Sequence, residues 1–94
     1  MRKTHFFGFT DEAIKWLQEN VVSSIDTDEK ITGMFGEEIQ SIREHTTRDG
    51  RILIDYVQAE PWSSGPCIFL ALKWKDTDEP IKESLWDEEI IDNC

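Results

Sequence analysis

The sequence predicts a small α+β domain with an antiparallel sheet of about three to four strands, an N-terminal helix over 11–21 and a short C-terminal helix near 84–91. Three observations carry that expectation. The runs Ile52–Gln58 and Ile68–Trp74 are dense in the β-branched and aromatic residues that suit a pleated surface. Asp49-Gly50 directly precedes the first run, and such a pair before an alternating apolar stretch is a strong hairpin signal. After Thr10, residues Ala13, Ile14, Leu17 and Val21 recur at the spacing of a helix with one apolar stripe.

Residues 3–9 are rich in aromatics and read as a short strand or extended arm. Thr10 has the chemistry of an N-cap, and Asp11 and Glu12 follow in the first turn, where the helix dipole favours anions. Trp16 flanks the apolar stripe. Val21-Val22 disfavours further helix, and Ser23–Lys30 reads as a polar, acidic loop. In 31–47 the signals compete. Gly33 interrupts a possible short strand at Ile31–Phe35, and Ile39 and Ile42 are spaced as in a helical turn. Because Asp49-Gly50 calls for two strands, a strand over roughly 39–47 is expected, with a bulge reconciling Ile39 with Ile42.

In the first apolar run, Ile52, Ile54 and Tyr56 share one face, and Leu53, Asp55 and Val57 the other. The second run carries Ile68, Leu70, Leu72 and Trp74 on one face and Cys67, Phe69 and Ala71 on the opposite one. A strand apolar on both faces belongs inside a sheet, so 68–74 is expected to be the central strand. Between the runs, Glu60–Pro66 reads as a corner shaped by Pro61, Gly65 and Pro66, with Trp62 at its tip. Asp76–Pro80 leaves the second strand as a loop. Leu85, Trp86, Ile90 and Ile91 then read as a short helix capped by Ser84, with a strand through Ile81 as the competing reading; in either, Leu85, Trp86 and Ile90 are expected to touch the core.

With 94 residues the chain forms one domain, and 38% hydrophobic content supports one core against disorder. No apolar run reaches membrane-spanning length, and the basic start is followed by too short an apolar stretch for a signal peptide. Two cysteines make no disulfide framework, so a cytoplasmic location and a buried free thiol at Cys67 are expected. Charge is the strongest global feature, with ten Lys/Arg against twenty Asp/Glu and a net −10. It repels nucleic acid and anionic membrane and points to a basic macromolecular partner. Asp76, Asp78, Glu79, Glu83, Asp87, Glu88, Glu89 and Asp92, against Lys82 alone, concentrate that charge toward the C-terminus.

No catalytic or cofactor signature accompanies the charge. Asp-Thr-Asp-Glu occurs at 26–29 and 76–79, but Lys30-Ile31 and Pro80-Ile81 stand where a calcium loop needs Asp or Asn and then Gly, so both read as solvated turns. Cys67 with His45 or His5 lacks any nucleophile–base pattern, and His5, His45, Cys67 and Cys94 lack metal-ligand spacing. The glycines form no phosphate loop, and Ser63-Ser64-Gly65 lacks the frame of a nucleophile elbow. No metal or cofactor is expected.

The chain therefore reads as an acidic protein-interaction domain: a stoichiometric inhibitor, an immunity-type protein or a nucleic-acid mimic. Its expected contacts are Trp62 or Trp86 as the desolvated centre, with Asp76, Asp78, Glu79, Asp87, Glu88 and Glu89 as a steering rim. The alternative is a small-molecule or peptide-binding module, or a minor enzyme, with a cleft at the Trp62–Pro66 corner.

Overall fold

Thr10 opens the helix as its chemistry predicts. Its backbone is extended (φ −63, ψ 159) and its hydroxyl accepts the Ala13 N–H at 3.0 Å. The computed structural model describes residues 4–62 and 65–92, with the side chains of Pro61 and Trp62 outside the described residues. Helix α1 spans Asp11–Asn20, with Asp11 and Glu12 in its first turn. It buries Ala13 and packs Trp16 and Leu17 on the core, whereas Ile14 is 44% exposed. The inward stripe is thus centred on Ala13, Trp16 and Leu17, one step round from the expected one.

The sheet has five strands rather than three or four: β1 (His5–Phe7), β2 (Val21–Thr32), β3 (Glu38–Thr47), β4 (Ile52–Trp62) and β5 (Gly65–Trp74). Their order is β1-β5-β4-β3-β2. The sheet is mixed, not antiparallel, because β1 pairs with β5 in parallel through Phe6↔Ile68 and Phe7↔Phe69. The reason lies in side chains: Phe7 stacks on Phe69 with ring centroids 4.8 Å apart, so the aromatic arm covers the half of β5 that is apolar on both faces. The middle strand is β4. The run at 68–74 lies next to it, interior because β1 flanks its other edge.

Strand β2 replaces the loop expected at 23–30. Its register against β3 slips between Asp26↔Arg43 and Lys30↔Ser41, so the first Asp-Thr-Asp-Glu forms a bulge in an edge strand. Thr27 holds the bulge by donating to the Ile42 carbonyl and accepting the Glu29 N–H. Charges along an edge also discourage strand-to-strand association. The hairpin predicted at Asp49-Gly50 is present, joining β3 to β4. Gly50 has φ +85 and donates its N–H to the Thr47 carbonyl at 3.0 Å. Beyond it, β4 and β5 stay paired as far as Pro61↔Pro66 and Trp62↔Gly65. Most of the expected corner is therefore strand end, where prolines cost few ladder bonds.

On the α1 face, Leu53, Leu72 and Ile81 form the buried centre with Phe9, Trp16, Leu17 and Trp74 around it. On the other face, Phe7 and Trp86 cover Phe69. Phe69 and Leu70 are 0% and 2% exposed, as expected of a strand buried on both sides. Cys67 is buried too, but as a disulfide-bonded residue rather than the expected free thiol. The sequence holds one other cysteine, Cys94, outside the described residues.

After β5 the chain turns back along the strand's edge. A 3-10 turn at Lys82–Ser84 precedes α2 (Glu88–Asp92), shorter than the helix expected at 84–91. Ser84 does not cap it; its hydroxyl is engaged with β5, and Asp87 takes the capping role by accepting the Glu89 N–H at 2.8 Å. Of the three residues expected to touch the core, only Trp86 does so firmly; Leu85 and Ile90 are 39% and 47% exposed. Among the described residues no helix is long and apolar enough to cross a membrane.

Candidate functional site

The C-terminal segment that closes the edge of β5 also builds the surface of greatest chemical interest. Trp86 Nε1 donates to the Leu70 carbonyl at 3.0 Å, and its ring packs against Phe7 and Phe69 at centroid distances of 5.8 and 5.3 Å. The indole is therefore a fixed floor rather than a protruding anchor. Leu85 beside it is left partly exposed.

Two open hollows share Leu85 and Trp86. One, of about 520 Å³, lies against the start of α1 and is lined by Phe9, Thr10, Asp11, Glu12, Leu85, Trp86, Asp87 and Ile90. The other, also about 520 Å³, is lined by Gln58, Ala59, Glu60, Leu85, Trp86, Glu88, Ile91 and Asp92. Both combine an apolar floor with carboxylates. Among the described residues, Arg and Lys side chains pair with Asp26, Glu44, Asp76 and Asp78, and the His45 ring holds Asp55. Asp11, Glu12, Glu60, Asp87, Glu88 and Asp92 have no such cation. In addition, Gln58 Oε1 is buried without a hydrogen-bond partner among the described residues.

The residues expected to form one site are divided by the fold. Trp86, Asp87 and Glu88 line the hollows; Glu89 stands exposed on α2 beside them. Asp76, Asp78 and Glu79 lie on the turn after β5 and line neither hollow. Arg51 donates to Asp76 at 3.1 Å, which holds that carboxyl below the usual carboxylate range. Lys73 pairs with Asp78 at 2.6 Å. The Trp62 side chain lies outside the described residues. In the sequence Asp11 and Glu12 read only as helix first-turn acids and Glu60 only as the start of a corner; a first-turn carboxylate and a strand-end carboxylate carry no local mark of their meeting place.

A second constellation is also invisible in the sequence. Ser24, His45 and Asp55 stand on the adjacent strands β2, β3 and β4. Ser24 Oγ lies 2.7 Å from His45 Nδ1, and His45 Nε2 lies 2.7 Å from Asp55 Oδ1. His45 and Asp55 are 3% and 2% exposed, while Ser24 is exposed. The β3–β4 ladder pairs Glu44 with Ile54, and just past that rung the Arg43 N–H donates to Asp55 Oδ2 at 3.1 Å. The carboxylate is thus held through both oxygens, and the Phe9 and His45 rings meet in a T-shaped arrangement, with centroids 6.5 Å apart. Both nitrogens of His45 are engaged, by Ser24 and Asp55, and no group of three or more possible metal ligands occurs among the described residues.

No family model, curated protein or solved structure matches the chain.

Proposed function

We propose that this chain is an acidic protein-interaction domain, of the inhibitor, immunity or nucleic-acid-mimic kind, that covers a basic protein surface. The observation that supports it best is the set of carboxylates around Leu85 and Trp86, Asp11, Glu12, Glu60, Asp87, Glu88 and Asp92, which pair with no Lys or Arg among the described residues. Such a set is costly in the isolated fold through like-charge repulsion and gains most when a cationic surface desolvates it. Lysine or arginine side chains of the partner would meet Asp11, Glu12, Asp87 and Glu88, and a donor reaching the second hollow would satisfy Gln58 Oε1. Leu85 and Ile90 would supply the apolar contact. Asp76 and Asp78, already paired, have the weaker claim to the interface.

The second reading is a small-molecule or peptide-binding module. A hollow of about 520 Å³ is within the size of small-ligand sites, although both hollows are open and rimmed by charge. A pull-down on the immobilised chain, followed by binding measurements at low and high salt, separates the two. A charge-driven partner should lose association roughly tenfold or more at high salt, and as much in a variant carrying Asp11→Asn, Glu12→Gln, Asp87→Asn and Glu88→Gln. Association indifferent to both would overturn the acidic-interface reading, and loss on Leu85→Ala alone would favour the ligand module.

A further inference from the structure

Ser24, His45 and Asp55 come from separate turns of chain and meet only through strand pairing, in the order hydroxyl, imidazole, carboxylate. Their burial runs in the direction that chemistry needs. The imidazole and carboxylate are enclosed on the α1 side of the sheet, and Ser24 is an exposed residue of the edge strand. A buried ionisable pair whose cross-strand neighbours are Leu53 and Leu72 costs more to bury than an apolar pair would. Here its polarity is directed at one exposed serine. Along the same face, one rung further, Asp26 pairs with Arg43 at 3.2 Å. An open pocket of about 550 Å³, lined by Phe9, Asp26, Arg43, Asp55 and Leu70 among others, begins there.

We propose that Ser24 is an acyl-accepting nucleophile, with His45 as its general base and Asp55 as the positioning residue, acting on small carboxylic esters whose acyl group enters the pocket beside Asp55 and Arg43. With Nε2–H donated to Asp55, the neutral ring presents the lone pair of Nδ1 to Ser24, the arrangement a base needs. Ser24 Oγ bonds to the ester carbonyl carbon as its proton passes to Nδ1. The carbon–oxygen bond to the alcohol then breaks, and the alcohol leaves with that proton. Water, deprotonated by Nδ1, attacks the acyl-serine; the acid departs and Ser24 recovers its proton. No oxidant, reductant or metal enters the balance.

The neighbouring Ser23 provides an internal control. It pairs with Thr46, points to the opposite face and is also exposed, but has no imidazole beside it. The test is treatment of the whole chain with diisopropyl fluorophosphate, with the adduct located by peptide mass spectrometry. Oγ–P forms, P–F breaks, and fluoride leaves. The expected result is a single adduct at Ser24, formed at least about 100-fold faster than any at Ser23 and absent in Ser24→Ala. The rate should depend on pH, and Asp55→Asn should lower it and change that pH profile while circular dichroism stays native. No adduct at Ser24, equal labelling of Ser23 and Ser24, or a pH-independent rate in the wild-type chain would each overturn the proposal. None of these depends on a variant folding.

Discussion

Ser84 Oγ accepts the Leu72 N–H at 3.0 Å and lies 3.1 Å from the Leu72 carbonyl, so one side chain stands in for a strand on the edge of β5. The hydroxyl is also within 2.9 Å of the Ile81 carbonyl. Ile81 N–H donates to the same Leu72 carbonyl at 3.0 Å. This closes the part of β5 that the three-residue β1 is too short to cover. Ser84→Ala leaves the buried Leu72 N–H without its acceptor, and should cost about 1–3 kcal/mol in urea denaturation, with an unchanged m-value.

Phe69 is fully enclosed between Phe7 and Trp86. Phe69→Ala removes that stack and opens a cavity at the junction of sheet and C-terminal segment, with an expected loss of about 3–5 kcal/mol. Tryptophan fluorescence of the folded variant should also change, because Trp86 loses a wall of its environment. A loss below half a kcal/mol, taken as roughly the surface-substitution range, would contradict the packing described.

Gly50 adopts φ +85 at the β3–β4 hairpin, and a Cβ there meets no neighbouring atom. The cost of Gly50→Ala is therefore conformational, about 1–2 kcal/mol. A double substitution with Phe69→Ala should be close to additive in thermal or urea unfolding, since the two sites share no partner.

Arg51 stacks over the Trp74 ring at 3.8 Å and donates to Asp76. The Asp76 carboxyl is lowered chiefly by that hydrogen bond. A depressed carboxyl stabilises the fold above its unfolded-state value, and the contribution is lost as pH falls through its folded value. The stability difference between wild type and Asp76→Asn should be small at neutral pH, because the pair is exposed, and should vanish on acidification or in high salt. A difference that grew in acid would reverse the sign and refute the pairing.

Leu85 and Ile90 offer the contrasting case. Both are exposed beside half-buried Trp86, so Leu85→Ala and Ile90→Ala should change stability by only about 0.5 kcal/mol. If these residues serve a partner, they should still weaken its binding. Calorimetry of the free variants and of the complex measures the two effects separately.

The helix, the Asp49-Gly50 hairpin, the doubly apolar strand at 68–74 and the acidic character are all legible in the sequence because each rests on neighbours in the chain. Thr10 reaches Ala13, Gly50 turns within its own hairpin, and alternation places Phe69 and Leu70 on opposite faces. The tertiary structure alone decided what lies across strands. Residues 23–30 lack apolar alternation, and they became strand because β3 offered a free edge that a bulge let them follow. His5–Phe7 became a parallel strand because Phe69 needed an aromatic lid. Chain folding likewise divided the C-terminal carboxylates, giving Asp76 and Asp78 cations while leaving Asp87 and Glu88 beside Asp11, Glu12 and Glu60. Ser24, His45 and Asp55 follow the same logic. Hydroxyl, imidazole and carboxylate are common in any sequence, and only the register of three strands, set by burial of their apolar neighbours, brings these within hydrogen-bond reach.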